Sequence, residues 1–161
     1  QRSGREWDCF SLLRPTSPFR TAATVRRAVA AFTGQDGVDS LRAVEKCGQH
    51  PGKMWVVDDD RMSPLLPPAP DGQPWHSRPY QALPSVYVQN ASLELAWTRV
   101  VFEERSIAGS VLMPFLTEGY EGFDINDPRD WIVAERLMAD GEVEPPQVPQ
   151  VPYGAPWANN S

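Results

Sequence analysis

The sequence of 161 residues lacks any apolar run close to the ~20 residues that a membrane span requires, and it lacks a cationic segment followed by an apolar one. It has only two histidines and two cysteines, without CxxC spacing, which argues against a His/Cys metal site. Its formal net charge is −6 with no block of like charges, which argues against nucleic-acid binding. These absences predict a cytoplasmic protein with buried, reduced thiols and no membrane partner.

The most informative stretch is residues 12–20, which follow a short apolar run. Residues 9–13 are apolar apart from Ser11, which predicts a buried strand. Pro15 and Pro18 then exclude a helix and favour an extended turn. Ligands bind at the carboxyl ends of strands in open α/β sheets. This hydroxyl-rich, cationic loop therefore predicts an anionic, polyhydroxylated ligand.

The following residues predict alternating helices and strands. An apolar face over residues 21–32 predicts a helix, with Thr21 as its N-cap. Residues 40–44 predict a second strand, paired in parallel with the first through a right-handed crossover. Residues 53–57 predict a third strand that ends in an acidic triplet, which we interpret as a hairpin tip. A last helix is expected to begin near Pro128.

Two proline-rich segments interrupt or follow this pattern. Residues 62–84 combine many prolines with Trp75, His76 and Tyr80, a density of aromatic side chains that is unusual for a linker. We therefore predict an ordered lid or dimerisation arm at about residues 58–85, with a disordered linker as the alternative. The domain is expected to cover residues 1–140. Residues 141–161 are predicted to form a disordered tail.

Four segments carry a family resemblance: residues 12–20, residues 81–91, residues 112–114 and residues 124–135. In this order and spacing they resemble the acylneuraminate cytidylyltransferases (CMP-sialic acid synthetases). The resemblance implies a Rossmann-like nucleotidyltransferase fold, with three α/β/α layers around a mostly parallel sheet, in a homodimer. It also implies transfer of CMP from CTP to an acidic 2-keto sugar, with Mg²⁺ as cofactor and release of pyrophosphate.

The family begins with a strand and a glycine-rich, cationic loop that cradles the triphosphate, and nothing similar occurs in this sequence. The sequence begins with Gln1, so we expect about 80–90 family residues to precede it, if the usual domain size holds. Without them, a parallel sheet would expose unpaired edges. The chain alone is therefore expected to be poorly stable and inactive, unless the missing part is supplied in trans.

The resemblance implies two sets of site residues. The metal ligands would be Asp124, which matches the first aspartate of the family pair, and Asn126, which replaces the second. A capping or turn role is the alternative for both. No catalytic residue is assigned. The implied substrate-binding residues are Arg14, Thr16, Ser17, Arg78, Gln81 and Asn90.

Several of these residues have structural alternatives. Arg14 replaces a family glutamine that reaches the sugar, and a salt bridge is its alternative. The hydroxyls of Thr16 and Ser17 could instead stabilise the loop as an ST-turn. Tyr80 and Val88 stand where the family commonly has arginines, the first of which is expected to hold the sugar carboxylate. Arg14 or Arg78 would then take over that charge.

Two other functions stay open. The departures from the family pattern also fit a non-catalytic, degenerate module that binds or dimerises with the same fold. A third possibility is another nucleotide-sugar transferase, such as a glycosyltransferase, since the sequence Asp124-Ile125-Asn126 alone does not distinguish the two. The loop at residues 12–20 argues against this third reading.

Overall fold

The computed structural model describes residues 6–144, apart from the side chain of Ala91. Contacts divide the chain into two compact units, a larger one formed by residues up to 43 and from 90 onwards, and a smaller one formed by residues 44–89. Helices and strands are β1 (Cys9–Leu12), α1 (Ala22–Thr33), β2 (Ser40–Lys46), β3 (Trp55–Asp58), β4 (Arg61–Pro64), β5 (Tyr87–Trp97), α2 (Thr98–Glu104), β6 (Leu112–Leu116) and α3 (Pro128–Ala139).

Four strands form one sheet in the order β1-β5-β2-β6. β1 and β5 are antiparallel, with Cys9 opposite Trp97 and Leu12 opposite Glu94. β3 and β4 form a separate antiparallel hairpin in the smaller unit. The long strand β5 thus lies at the centre of the main sheet and contacts β1 on one side and β2 on the other.

The predicted three-layer α/β/α Rossmann-like fold with a mostly parallel sheet is wrong. Over residues 6–144 the sheets are mostly antiparallel and only three α-helices occur. The error comes from β5, which lies between β1 and β2. The first two strands therefore do not pair, although their order around a helix favoured a parallel crossover.

The core of the larger unit lies between α1 and the main sheet. Ala28 and Phe32 of α1 are fully buried, whereas Val29, predicted to share their face, is 37% exposed. Burial of a large apolar side chain such as that of Phe32 contributes about 1.5–3 kcal/mol. The core cluster consists of Ala28, Phe32, Val38, Leu41, Ala43, Leu93, Leu95 and Phe115. This packing holds α1 against the main sheet.

Capping side chains determine where the two longest helices begin. The Thr21 hydroxyl accepts a hydrogen bond from the Thr24 amide, and the Thr24 hydroxyl accepts one from the Thr21 amide, both at 3.2 Å, which confirms the predicted N-cap. Asp127 and Asp130 form the equivalent box before α3. Ala134 of α3 is buried, whereas Trp131 in its first turn is 56% exposed.

The smaller unit contains the predicted hairpin and the proline-rich segment. Asp59 occupies the turn between β3 and β4 with φ of 52°, which confirms that the acidic triplet forms a hairpin tip. Short 3-10 turns lie at Pro51–Lys53, Trp75–Ser77 and Tyr80–Ala82. The Lys53 ammonium donates hydrogen bonds of 2.6 Å to the carbonyl oxygens of His76 and Arg78. These bonds tie the proline-rich segment to the turn that precedes β3.

Three sequence predictions concern thiols, membranes and the tail. Cys9 and Cys47 are free, as predicted, but only half-buried. In the part of the chain that the structure describes, no helix is long and apolar enough to cross a membrane. The predicted disordered tail, residues 141–161, lies outside the described residues from residue 145 onwards.

Candidate functional site

Arg20 fixes the loop between β1 and α1. One nitrogen of its guanidinium donates to the Arg14 carbonyl oxygen at 3.1 Å, and another donates to the carbonyl oxygen of Ser92 in β5. Within the loop, the Ser17 amide also donates to the Arg14 carbonyl, at 3.4 Å. Burial lowers the pKa of Arg20, although a guanidinium stays protonated. Arg20 therefore anchors the loop through backbone carbonyl oxygens.

This loop contacts the acidic turn that precedes α3. The Ile125 amide donates a hydrogen bond of 2.9 Å to the Thr16 carbonyl. Nearby, the ring centroids of Phe19 and Phe123 lie 5.4 Å apart. The structure thus brings Arg14, Thr16 and Ser17 into the same region as Asp124 and Asn126.

Asn90 lies in β5 and connects this strand to the segment after β6. Its side-chain amide donates to the Thr117 hydroxyl at 3.0 Å, and its side-chain oxygen accepts from the Ser92 amide at 3.2 Å. Both ends of the Asn90 side chain therefore have protein partners. A ligand contact by this side chain would replace or share one of these bonds.

Ser92 is a polar residue of β5 that no sequence motif indicated. It is fully buried, and its carbonyl accepts the hydrogen bond from Arg20. Three buried oxygens have no hydrogen-bond partner within residues 6–144: the hydroxyls of Ser17 and Ser92, and one carboxylate oxygen of Asp124. Such atoms are rare in proteins and often mark a bound water, an ion or a functional site. In the sequence, the feature that could have indicated Ser92 is its hydroxyl, placed just before the alternating apolar residues of β5.

Arg14 belongs to a cluster of two cations and one anion. Its guanidinium lies 3.3 Å from a carboxylate oxygen of Glu94, so the predicted salt-bridge alternative is present. Glu94 is buried and also pairs with buried Arg42, whose pKa is lowered by that burial. One carboxylate cannot neutralise two guanidinium groups. The cluster therefore keeps a net positive charge, and its exposed member is Arg14, with 59% of its side chain accessible.

The two predicted metal ligands differ in their surroundings. Asp124 is half-buried, and its unpartnered carboxylate oxygen fits a hard cation. Asn126 is exposed, and its backbone amide donates to Asp130 at 2.8 Å. Among the described residues, no group of three or more His, Cys, Asp or Glu side chains is arranged to hold a metal. Mg²⁺ typically uses one or two carboxylates with water and phosphate oxygens, so Asp124 is chemically suitable.

Glu121 holds the segment that leads to Asp124. Its carboxylate accepts hydrogen bonds from the Thr24 hydroxyl at 2.7 Å, the Glu118 amide at 2.8 Å and Arg27. Burial raises the pKa of Glu121, but these hydrogen bonds and the charge of Arg27 outweigh it and lower the pKa below its usual value. Arg27 of α1 is therefore part of this network. The acidic turn is tied to α1 through these contacts.

Arg78 and Gln81 lie in the smaller unit. The Arg78 guanidinium pairs with Asp71 at 2.5 Å and lies 4.8 Å from the centroid of the Trp75 ring. The pKa of Asp71 is lowered by the Gln73 amide and by Arg78. Gln81 is exposed in the turn Tyr80–Ala82. The charge of Arg78 is thus partly neutralised by a carboxylate of its own.

Comparison with known proteins agrees with the family resemblance. No family model matches the chain. The chain is 29% identical over 141 residues to CMP-N,N'-diacetyllegionaminic acid synthase of Legionella pneumophila, and the match covers 82% of the chain and 54% of that relative. The chain therefore spans about half the length of the curated relative that it matches. The resemblance to the CMP-sialic acid synthetases is confirmed at this level: the chain is a distant homologue of a synthase of that kind.

Proposed function

We propose that the protein transfers CMP from CTP to an acidic 2-keto sugar and releases pyrophosphate. The observation that carries this proposal is the hydrogen bond between the Ile125 amide and the Thr16 carbonyl. It joins the hydroxyl-rich loop to the acidic turn that contains Asp124. The Arg14 guanidinium and the Asp124 carboxylate can then contact the same ligand. The distant relative, named as a synthase of a CMP-linked sugar acid, supports the same reaction class.

Arg14 is the residue that we propose for the sugar carboxylate. Arg14 shares the single charge of Glu94 with Arg42, whereas Arg78 has Asp71 as its own partner. Arg14 is thus the stronger attractor for a second anion. A guanidinium also matches the planar geometry of a carboxylate.

Asp124 would hold Mg²⁺, with Asn126 as an additional oxygen ligand. When bound, Mg²⁺ would supply charge neutralisation at the triphosphate. The residues of this chain would orient the sugar, since in-line attack of its anomeric hydroxyl on the α-phosphorus depends mainly on positioning. Thr16 is exposed and available for that contact, whereas the Ser17 hydroxyl is buried and has no hydrogen-bond partner among the described residues.

Pyrophosphate release tests the reaction. The protein as encoded is incubated with CTP, Mg²⁺ and a panel of 2-keto sugar acids. Replacing Asp124 with alanine is expected to reduce turnover at least about 100-fold, because the loss of a metal carboxylate removes several kcal/mol of charge stabilisation. Asp36, an exposed loop residue of the same unit, gives the matched control Asp36→Ala. Equal turnover in both variants would remove Asp124 from the proposed site.

A non-catalytic module of the same origin is the second candidate. It is favoured by the amide of Asn126 at a position where the family has a second carboxylate. Isothermal titration with a CMP-linked sugar acid, run beside the pyrophosphate assay, separates the two candidates. Binding without turnover of any sugar in the panel would establish the module instead of the enzyme.

We also propose that the protein forms a homodimer through the hairpin β3–β4 and works in the cytoplasm. The hairpin exposes 51% of Val56, 69% of Val57 and 61% of Met62, which favours coverage by a partner. The free thiols of Cys9 and Cys47 fit a reducing compartment.

A further inference from the structure

A groove of about 740 Å³ lies in the larger unit, at the opposite end of β1 from the proposed substrate site. It borders the start of β1, whereas Arg14 and Ser17 follow the end of that strand. Three aromatic residues, Trp7, Trp97 and Phe102, dominate its lining. The described residues that line it are Glu6, Trp7, Asp8, Trp97, Thr98, Arg99 and Phe102.

Backbone hydrogen bonds hold the walls of this aromatic groove. The Thr98 amide donates to the Asp8 carbonyl at 2.8 Å, and the Trp97 amide donates to the Asp39 carbonyl at 3.1 Å. The Trp97 ring also packs on Phe32 in the core, with centroids 4.6 Å apart. The aromatic groove is therefore preformed, although 67% of Trp7 and 73% of Phe102 remain exposed.

The sequence contains a segment whose chemistry matches such a groove. Pro146, Pro149 and Pro152 recur at a spacing of three residues, within the repeat Pro-Gln-Val. A polyproline II helix has three residues per turn, so these prolines would lie along one edge of it. Grooves lined by aromatic side chains bind such helices, because proline rings pack on the aromatic faces and indole N–H groups donate to the backbone carbonyls.

The segment also carries no charged side chain that would oppose its burial in the groove. Residues 145–161 contain no Lys, Arg, Asp or Glu. Binding of residues 146–152 would therefore bury no unpaired charge of their own. Arg99 at the rim of the aromatic groove already donates to Asp39 at 2.6 Å and needs no anion from the ligand.

We propose that residues 146–152 of this chain bind in the aromatic groove as a polyproline II helix. The described residues end at Glu144, which belongs to the same unit as the groove. The proline segment begins two residues later, at Pro146. The bound segment would cover Trp7 and Phe102, which are the most exposed aromatic side chains of the groove. This interaction is independent of the proposed catalytic function.

Indole signals in ¹H–¹⁵N NMR spectra of the full chain test the proposal. Replacing the three prolines together (Pro146→Ala, Pro149→Ala and Pro152→Ala) should shift the indole signals of Trp7 and Trp97. The signals of Trp55 and Trp75, in the other unit, should stay unchanged. Pro156→Ala lies outside the repeat and serves as the control. Indole signals of Trp7 and Trp97 that do not move in the triple variant would overturn the proposal.

A change in the groove gives the reciprocal test. Phe102→Ser replaces an exposed side chain, so the fold should be retained. It should increase the fast backbone motion of Gln147, Val148, Gln150 and Val151, measured as lower heteronuclear NOE values. Ile132→Ser, at a position that is 65% exposed on α3, is the matched control and should leave these values unchanged. Equal values in both variants would contradict binding of the segment.

Concentration and sedimentation distinguish the possible occupants. The indole shift caused by the triple proline variant is measured at several protein concentrations. A shift that stays constant means that the segment binds its own chain. A shift that grows with concentration means that it binds a neighbouring copy. Both support the segment as the occupant. If Phe102→Ser dissociates an oligomer that the triple proline variant leaves intact, a second copy covers the aromatic groove directly and the proposal fails.

Discussion

Single charged residues decide how this protein can recognise an anion. Glu94 lies between two guanidinium groups, those of buried Arg42 and exposed Arg14. Its carboxylate orients Arg14 without cancelling the charge of the cluster. The sequence shows both arginines and the glutamate, but they come from three distant segments, so their meeting depends on the pairing of β5 with its neighbours.

The two candidate carboxylate-binding arginines can be compared directly. Arg14→Ala is expected to raise the KM for the sugar about 10- to 100-fold, in line with loss of a charge-assisted pair. Arg78→Ala should raise it less, because Asp71 already pairs with Arg78. Steady-state kinetics on both variants, with kcat reported separately, measure this difference. A larger effect at Arg78 would assign the carboxylate to the smaller unit.

Asp39 makes the stability of the fold depend on pH. The amides of Val111 and Ser110, followed by Arg99, lower the pKa of Asp39 below its usual value. The folded state therefore favours the ionised carboxylate. This contribution is complete above the unfolded pKa of about 3.9 and is lost as the pH falls from there through the lower folded pKa.

Urea unfolding at pH 5 and at pH 3 measures this dependence. The unaltered protein should lose stability between the two values, partly through Asp39. In Asp39→Asn the loss should be smaller, because the amide does not titrate. An identical pH dependence in the two proteins would show that Asp39 does not contribute.

At the scale of elements, the turn before β6 illustrates how a loop is held by one side chain. Asp39 accepts hydrogen bonds from the amides of Ser110 and Val111 at 2.9 and 2.8 Å. This arrangement requires Gly109 to have φ of +69°, and a Cβ atom there would collide with the Asp39 side chain. The start of β6 is thus set by contact with the residue before β2.

Gly37 and Gly109 have similar φ angles, so their alanine variants distinguish the cost of backbone strain from the cost of a steric collision. Gly37 has φ of +74° with nothing within 4 Å of an added Cβ, so Gly37→Ala should cost only the strain of about 1 kcal/mol. Gly109→Ala should cost about 1–3 kcal/mol more, because the Cβ also displaces Asp39. Chemical denaturation measures both values. Equal losses would show that the turn shifts freely.

Local side-chain chemistry indicates where the helices and strands begin and end. It says less about which strands pair. Thr21 and Asp127 begin α1 and α3 as N-caps, and the acidic triplet forms the tip of the β3–β4 hairpin. The long strand β5 runs without a break through Asn90. The Asn90 side chain is engaged by the Ser92 amide and the Thr117 hydroxyl, so it fits within a continuous strand.

At the scale of the molecule, the proposed dimer can be tested on the exposed apolar surface of the β3–β4 hairpin. Val57 on the β3–β4 hairpin is 69% exposed, so Val57→Lys should leave the fold intact. If the hairpin forms the proposed dimer interface, the buried lysine charge should weaken the dimer at least about tenfold. Sedimentation velocity measures the change, with Ile132→Lys on α3 as the control. A dimer that tolerates Val57→Lys would have its interface elsewhere.

The sequence by itself determined the local features of this protein: the cap of α1, the start of α3 near Pro128, the hairpin turn, the proline-bent loop and the motifs that indicate its distant relative. These depend on residues that are close together in the chain, where side-chain chemistry directly selects the backbone conformation. Only the tertiary structure decided that β5 lies between β1 and β2, that Glu94 joins two arginines, and that Trp131 remains exposed. Those features depend on which remote segments meet, and periodicity and spacing carry little information about such pairings.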